Sequence, residues 1–488
     1  MASLLRMTVS TSLRGAQSAT WQSNNMNINR SILKLAIPSI FANITVPLVG
    51  MVDIAIAGHL SAQAATLIGG IAIGSMLFDL LYWNFGFLRI GTGGLAAQAY
   101  GAGNRHECAR ILSRALAMSL AIAMLLIAIQ WLVVKFAFFF VDCTPEVQTL
   151  ATRYFYIRIW AAPATLSLMA FKGWFIGMQD SVSSMLCDVV VNVSNILLSV
   201  AFAFGLSIGG ITLLPQIGFS GIAVGTLAAQ WLGLITAVMI LMLKYRKSTL
   251  NQLQPDDFKT LFKDGQTRNF FVMNADLFVR SLCFIAIYIG FTVISASYKS
   301  DILLSVSSIL MKLLMVFSYF TDGFAYAGEA LTGRFIGAKD SVNLRATIKW
   351  TFVWSMGVAM VFVLIYHFAG TQMLRMMTSD ISVIDAAKGY MSWLLLMPIV
   401  GCAAFTWDGI YIGATASRQM RNSMLWAAGV FAATYALGVL AIRVLAPVES
   451  AHYNAIALHV LMAAYFAHLL VRTVYLSMYW RRTAPIGF

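Results

Sequence analysis

The stretch Gly173-Trp174-Phe175-Ile176-Gly177 returns as Gly409-Ile410-Tyr411-Ile412-Gly413. The offset, 173 to 409, is 236 residues. At the same offset Gly101-Ala102 meets Gly337-Ala338, Tyr154 meets Tyr390, and Ser181 meets Ser417. Matches of Ala, Leu and Ile carry little information in an apolar chain. Glycines, a tyrosine and a serine paired at one constant offset carry much more. A chain of 488 residues that repeats in this way is a duplicated half.

The composition places both halves in a bilayer. Apolar residues make up 60% of the chain, charged residues 11%, and mean hydropathy is +0.79. A soluble domain carries about 25% charged residues. Apolar stretches of the roughly 20 residues needed to cross a hydrocarbon core recur throughout. They predict twelve helical spans: 31–59, 64–101, 108–138, 148–179, 182–206, 217–244, 268–296, 302–336, 345–373, 386–414, 420–446 and 453–479. The fold class is an all-α integral membrane protein with six spans in each half.

Basic residues set the orientation. With both termini inside, the inner segments hold Arg30 and Lys34, then Arg105, Arg110 and Arg114. Lys244, Arg246 and Lys247 follow, then Arg334, Lys339 and Arg345, and finally Arg418, Arg421, Arg481 and Arg482. The outer loops hold Lys299, Arg375 and Arg443. This asymmetry accounts for much of the +14 net charge, and nucleic-acid binding would need a basic soluble domain that the chain lacks. An even number of spans per half points both halves the same way, so they are related by an axis along the membrane normal. The expected organisation is a cytoplasmic tail over 1–30, a six-helix lobe over 31–246, and a linker over 247–266. A second six-helix lobe over 267–480 and a tail over 481–488 complete it.

The cysteines (Cys108, Cys143, Cys187, Cys283, Cys402) are scattered, and the histidines form no metal-spaced pair, so neither a disulfide framework nor a zinc site is expected. No cofactor is expected. Met1 to Asn25 is polar, rich in Ser and Thr, and free of acids. It reads as a tail, a transit sequence or an over-long start ahead of Met26, and not as a signal peptide.

Polar residues inside the spans carry the functional information, because a charge at the bilayer centre costs roughly 2.5–3.5 kcal/mol on insertion scales. Asp53 lies about 20 residues, or about 30 Å, beyond the inner end of the first span. Pro38 and Pro47 precede it and bend the helix. In the fifth span Asp188, Asn192, Asn195 and Ser199 fall at i, i+4, i+7 and i+11, one polar stripe. The stripe reads either as a cavity wall beside Asp53 or as contacts between helices. In the seventh span Asp276 and Arg280 are i,i+4 partners. In the eighth, Asp322 and Glu329 are i,i+7. An Arg280–Asp322 pair between adjacent helices is expected either as a structural pair or as part of a substrate site. Lys172 and Asp408 occupy equivalent repeat positions with opposite signs, which invites a salt bridge across the pseudo-twofold axis.

These residues also carry a family resemblance. Phe87-Leu88-Arg89, Thr92, Gly94-Leu95 and Ala97-Gln98-Ala99-Tyr100-Gly101 resemble a second-span signature. It belongs to the multidrug and toxic compound extrusion (MATE) family, in its damage-inducible-F-like (DinF) branch. Asn274, Asp276 and Arg280 resemble that branch's seventh-span motif. Asp322-Gly323-Phe324-Ala325-Tyr326-Ala327, Glu329 and Gly337-Ala338 resemble its eighth. Asp408-Gly409, Ile412-Gly413-Ala414-Thr415 and Met420-Arg421-Asn422-Ser423 resemble the tenth and eleventh. The resemblance runs from Ile32 onward. It implies two six-helix lobes, alternating access, and export driven by an inward cation gradient. The family's first-span acid falls on Asp53, its proline on Pro38, and its fifth-span asparagines on Asn192 and Asn195. Two positions depart: Ser199 stands where relatives often have Asp, and Ala275 where an arginine is common. The first departure removes a carboxylate from a two-carboxylate cation site.

The sequence therefore reads as a cation-coupled efflux antiporter of amphipathic or cationic organic compounds in the inner (plasma) membrane. Asp53, Asn192 and Asn195 are assigned to ion coupling. Asn274, Asp276, Arg280 and Asp322 are assigned to a substrate cavity or polar network of the C-terminal lobe. The expected partners are small organic substrates, a coupling cation (the proton favoured, sodium the alternative) and the lipid bilayer. No nucleic acid is expected, and the chain is expected to act as a monomer. A lipid-linked precursor flippase of related fold is the second reading, and it requires a large cationic cavity. A membrane-embedded transferase is the third. The absence of His-x4-Asp, Asp-x-Asp or a His/Glu cluster argues against it.

Overall fold

Within a bilayer each backbone polar group must find its partner inside the protein, so long apolar stretches fold as helices. The computed structural model of the chain describes residues 27–60, 64–141, 143–208, 211–254, 256–257, 263, 265–445 and 450–483. The tail over 1–26, residues 258–262 of the expected linker and residues 484–488 lie outside the described residues.

The first half comprises α1 (Ile28–Leu60), α2 (Ala64–Asn84), α3 (Phe87–Gly101), α4 (Arg105–Ala128), α5 (Gln130–Phe140), α6 (Pro145–Arg158), α7 (Ala162–Gly177), α8 (Ser181–Phe204) and α9 (Phe219–Ile240). The second half comprises α10 (Gly265–Ser297), α11 (Asp301–Gly337), α12 (Ser341–Met377), α13 (Ile381–Lys388), α14 (Met391–Gly413), α15 (Ser417–Leu445) and α16 (Ser450–Thr483). Among the described residues, 12 helical segments are long and apolar enough to cross a membrane. The second span is α2 and α3, joined by a turn at Phe85–Gly86. The fourth is α6 and α7, joined by the 3-10 turn Ile159–Ala161 just before Pro163. Two expected spans are broken: the third at Ile129, and the tenth at Gly389–Tyr390. The loop after α8 departs from the all-helical expectation with an antiparallel hairpin of β1 (Leu206–Ile208) and β2 (Ile211–Leu214).

The repeat extends to backbone detail. Among the described residues four non-glycines have positive φ, and two of them, Gln179 (64°) and Thr415 (55°), stand at the repeat offset. Lys339 (56°) matches Gly103 (72°) in the same way. Asn104 caps α4 by accepting from Glu107 N, and its counterpart Asp340 caps α12 by accepting from Asn343 N. A side chain on Gly173 would strike the Arg89 carbonyl, and one on Gly409 would strike the Ala325 carbonyl. Gly177 sits likewise on the Gly93 carbonyl and Gly413 on that of Glu329. The glycines of the echo exist to let α7 approach α3, and α14 approach α11. Their spans are the most enclosed in each half: 72% of the fourth span's core window is buried and 61% of the tenth's, against 11–50% elsewhere. Each lobe is thus built around its glycine-bearing helix.

The two lobes meet where α3 crosses α11. Gly101 sits on the Arg334 carbonyl and Gly337 on that of Gln98, the same contact taken from either half. Gln98 Nε2 donates to Gly413 O (2.9 Å), and Gln179 Nε2 donates to Ala330 O (2.7 Å). The start of α1 closes over this crossing, with Ile28, Ile32 and Leu35 packed on Leu331, Phe335 and Ile336. The last turns of α16 lie at the same end, where Trp480 packs on Tyr411. The end that carries both termini of the described chain is therefore sealed. Large apolar side chains such as Phe139, Val342 and Leu243 are exposed, as expected where lipid is the solvent.

Candidate functional site

Among the described residues, charged groups sit inside the helical bundle in each lobe and between the lobes. In the first lobe, α1 runs unbroken through Pro38 and Pro47. Pro38 has no N–H to give to the carbonyl of Lys34, four residues earlier. Ser181 Oγ, at the start of α8, donates to that carbonyl instead (3.2 Å). At the matched place in the second lobe, Asn274 Nδ2 donates to Phe270 O (2.7 Å).

Beyond the two prolines Asp53 is buried, with 5% exposure. It makes no hydrogen bond to a described residue, and its Oδ1 is enclosed without a partner. The positive charge acting on it is Arg158 of α6, which also acts on Asp79 of α2. Arg158 donates to Tyr154 Oη (3.0 Å) and lies over the Phe78 ring, 4.7 Å from its centroid. The reading of the sequence missed Arg158 and Asp79. Asp79 is a lone charge in an apolar run and Arg158 lies within the fourth span, which was the available signal.

The stripe on α8 does not gather at Asp53. Asp188 pairs with Lys172 of α7. Asn192 Nδ2 donates to Thr45 Oγ1 of α1 (2.5 Å), and Asn195 Nδ2 to Thr226 Oγ1 of α9 (2.9 Å). Ser199 Oγ donates to Ile222 O (3.4 Å). The stripe therefore holds α8 to three neighbouring helices. The bridge between Lys172 and Asp408 does not form, because each finds an opposite charge within its own lobe.

Between the lobes, Arg89 Nη1 of α3 meets Glu329 Oε2 of α11 at 3.2 Å. The guanidinium also lies 4.3 Å from the centroid of the Tyr326 ring. Glu329 is fully enclosed, with 0% exposure, and its Oε1 has no donor. Asn274 is buried at the same interface, where Gly91 admits its Oδ1.

The second lobe holds a cavity of about 360 Å³. Arg280, Asp322, Asp408 and Arg472 supply its charges, and Trp83, Phe284, Tyr288, Phe405 and Tyr465 its aromatic walls. The expected Arg280–Asp322 pair is replaced. Arg280 Nη2 reaches Asp408 Oδ2 at 2.6 Å, and Arg472 binds the same oxygen. Asp276 lies elsewhere: it accepts from Arg421 Nη1 (2.5 Å) and Ser417 Oγ (2.9 Å), tying α10 to the start of α15. Of the four residues assigned to this lobe's site, Arg280 and Asp322 line the cavity, while Asp276 and Asn274 serve helix contacts. Asp408 and Arg472 complete the charged wall.

The MatE family model matches the chain twice, over residues 38–201 and 277–446. The chain is 34% identical over 406 residues to DNA damage-inducible protein F of Escherichia coli (strain K12), covering 83% of this chain and 85% of the relative. It is 24% identical over 389 residues to a probable multidrug resistance protein NorM of Photorhabdus laumondii, covering 79% and 82%. Among solved structures, it superposes on the outward-facing conformation of a multidrug resistance MATE family transporter of the MOP superfamily. That match has a TM-score of 0.77 at 16% identity and covers 94% of this chain and 97% of the other.

Proposed function

The chain belongs to the MatE family of multi-pass membrane transporters, and on that premise we propose that it is a proton-coupled antiporter. It exports amphipathic or cationic organic compounds across the inner membrane, with both termini on the cytoplasmic side. The observation that carries the coupling assignment is the state of Asp53: buried in the proline-bearing first helix and free of hydrogen bonds to described residues.

A proton needs one carboxylate, whereas a cation such as sodium needs several hard oxygens around it. Ser199 occupies the place of the second acid, and its hydroxyl is engaged with the Ile222 carbonyl. Asn192 and Asn195 are engaged with Thr45 and Thr226, so their part in coupling is to hold α8 against α1 and α9. Protonation of Asp53 removes its attraction to Arg158. The outer part of α1 is then free to shift about its prolines, which changes the pocket that the substrate meets. Ion and substrate thereby bias one two-state element in opposite directions, as antiport requires. The flippase reading requires a cationic cavity, and the charges lining the cavity here balance.

The test is efflux of a dye from proteoliposomes under an imposed pH gradient, or under a sodium gradient at clamped pH. Asp53→Asn should abolish proton-driven efflux and leave the thermal unfolding profile intact. Wild-type efflux that followed sodium at clamped pH would overturn proton coupling. Export by Asp53→Asn at the wild-type rate would overturn the assignment of Asp53.

A further inference from the structure

We infer that the cavity of the second lobe is a zwitterion-binding subsite, in which Asp322 receives a cationic group and Arg280 an anionic group of one amphipathic molecule. The inference rests on the transport reading above and names its substrate class. Asp408 is already engaged, since two guanidiniums bind its Oδ2. One of these, Arg472, lines the cavity while being only 1% exposed to solvent. The cluster of two arginines and one aspartate leaves one positive charge in excess on its wall. Arg280 bonds Asp408 through Nη2, so Nη1 is left to donate. Asp322 lines the same cavity and makes no hydrogen bond or ion pair to a described residue. A cation and an anion thus share one cavity without pairing with each other.

Charges taken out of water need partners. A molecule carrying both signs satisfies both walls and leaves the cavity neutral. A purely cationic molecule would meet Asp322 but leave the positive charge of the arginine wall unanswered. A purely anionic one would meet Arg280 but face Asp322. The remaining wall is aromatic. Trp83 enters from the first lobe and meets Tyr288 edge-on, with ring centroids 5.5 Å apart, so a bound ring system touches both lobes.

The test uses the full chain in detergent with three related xanthene dyes, followed by fluorescence polarisation. They are a free-acid rhodamine (zwitterion), its methyl ester (cation) and fluorescein (anion). The free acid should bind about tenfold more tightly than the ester or fluorescein, the scale of one charge-assisted hydrogen bond. Asp322→Asn should abolish the preference for the free acid over fluorescein, and Arg280→Gln its preference over the ester. Arg280→Lys keeps the charge and should keep the second preference, which guards against a fold defect in Arg280→Gln. Wild-type affinity for the ester equal to or above that for the free acid would overturn the inference. So would equal losses of all three dyes in both Asp322→Asn and Arg280→Gln. Gradient-driven export of the ester together with either result would leave the transport reading standing. Failure to bind or export any of the three dyes would overturn both.

Discussion

Gly93 and Glu329 stand at matched positions of the two halves, and they touch: a side chain on Gly93 would occupy the place of Glu329 Oε1. The duplicated position thus holds a buried carboxylate in one lobe and the space that receives it in the other. Its partner Arg89 matches Ala325, so a charged pair replaces what symmetry would repeat as two small residues.

Breaking that pair by removing one member should destabilise the closed form. Arg89→Ala strands an enclosed carboxylate, a change that commonly costs about 3–5 kcal/mol. The expected result is a lower melting temperature in detergent, with part of the loss recovered in Arg89→Ala/Glu329→Gln. A sulfhydryl crosslink between Ala102→Cys and Ala338→Cys should form several-fold more slowly in Glu329→Gln than in the parent. These two residues flank the lobe crossing and are exposed.

The repeated helix packing predicts repeated mutational effects. Gly173→Ala and Gly409→Ala each drive a methyl group into a backbone carbonyl that has no rotamer to yield. Overpacking of this kind costs about 1–3 kcal/mol. Both variants should lose thermal stability by similar amounts, while Gly357→Ala in α12, where nothing lies in reach of the added methyl, should lose none.

In the charged wall of the cavity, Asp408 and Asp322 should respond differently. Asp408→Ala leaves Arg280 and Arg472 without their shared acceptor, and a large drop in melting temperature is expected. Asp322→Asn removes no ion pair and should leave stability unchanged while altering ligand binding. Equal destabilisation by the two would contradict the pairing.

Asp180, in the turn between α7 and α8, gives a pH dependence. Burial works against its charge, but Lys244 (2.6 Å), Ser183 and Tyr245 (2.7 Å) outweigh it and hold the carboxyl below the usual carboxylate range. A lowered folded-state pKa contributes stability that is complete above the unfolded value, about pH 4, and is lost as pH falls through the folded value. Melting temperatures of the wild type should fall on this acid limb, and Asp180→Asn should flatten part of it.

The number of spans, the duplication and its offset were legible in the sequence because hydropathy and glycine placement are local properties. A glycine at Gly173 or Gly409 announces a close approach before its partner is known. The choice of ionic partners was not legible. Whether Arg280 meets Asp322 or Asp408 depends on the rotation of three helices, α10, α11 and α14, about their own axes. Helical spacing fixes which residues share a face but not which neighbour that face meets. The same uncertainty let Lys172 and Asp408 invite a bridge that neither makes. Arg158 and Asp79 escaped because neither has a charged neighbour at helical spacing in its own span, and their proximity to Asp53 arises only from packing between helices.

At the sealed end, Gly101 rests on the Arg334 carbonyl and Gly337 on that of Gln98, two contacts exchanged by the repeat itself. A rocking of the two lobes that preserves the pseudo-twofold axis lifts both contacts by the same measure, so along that motion the crossing is made or broken as one unit.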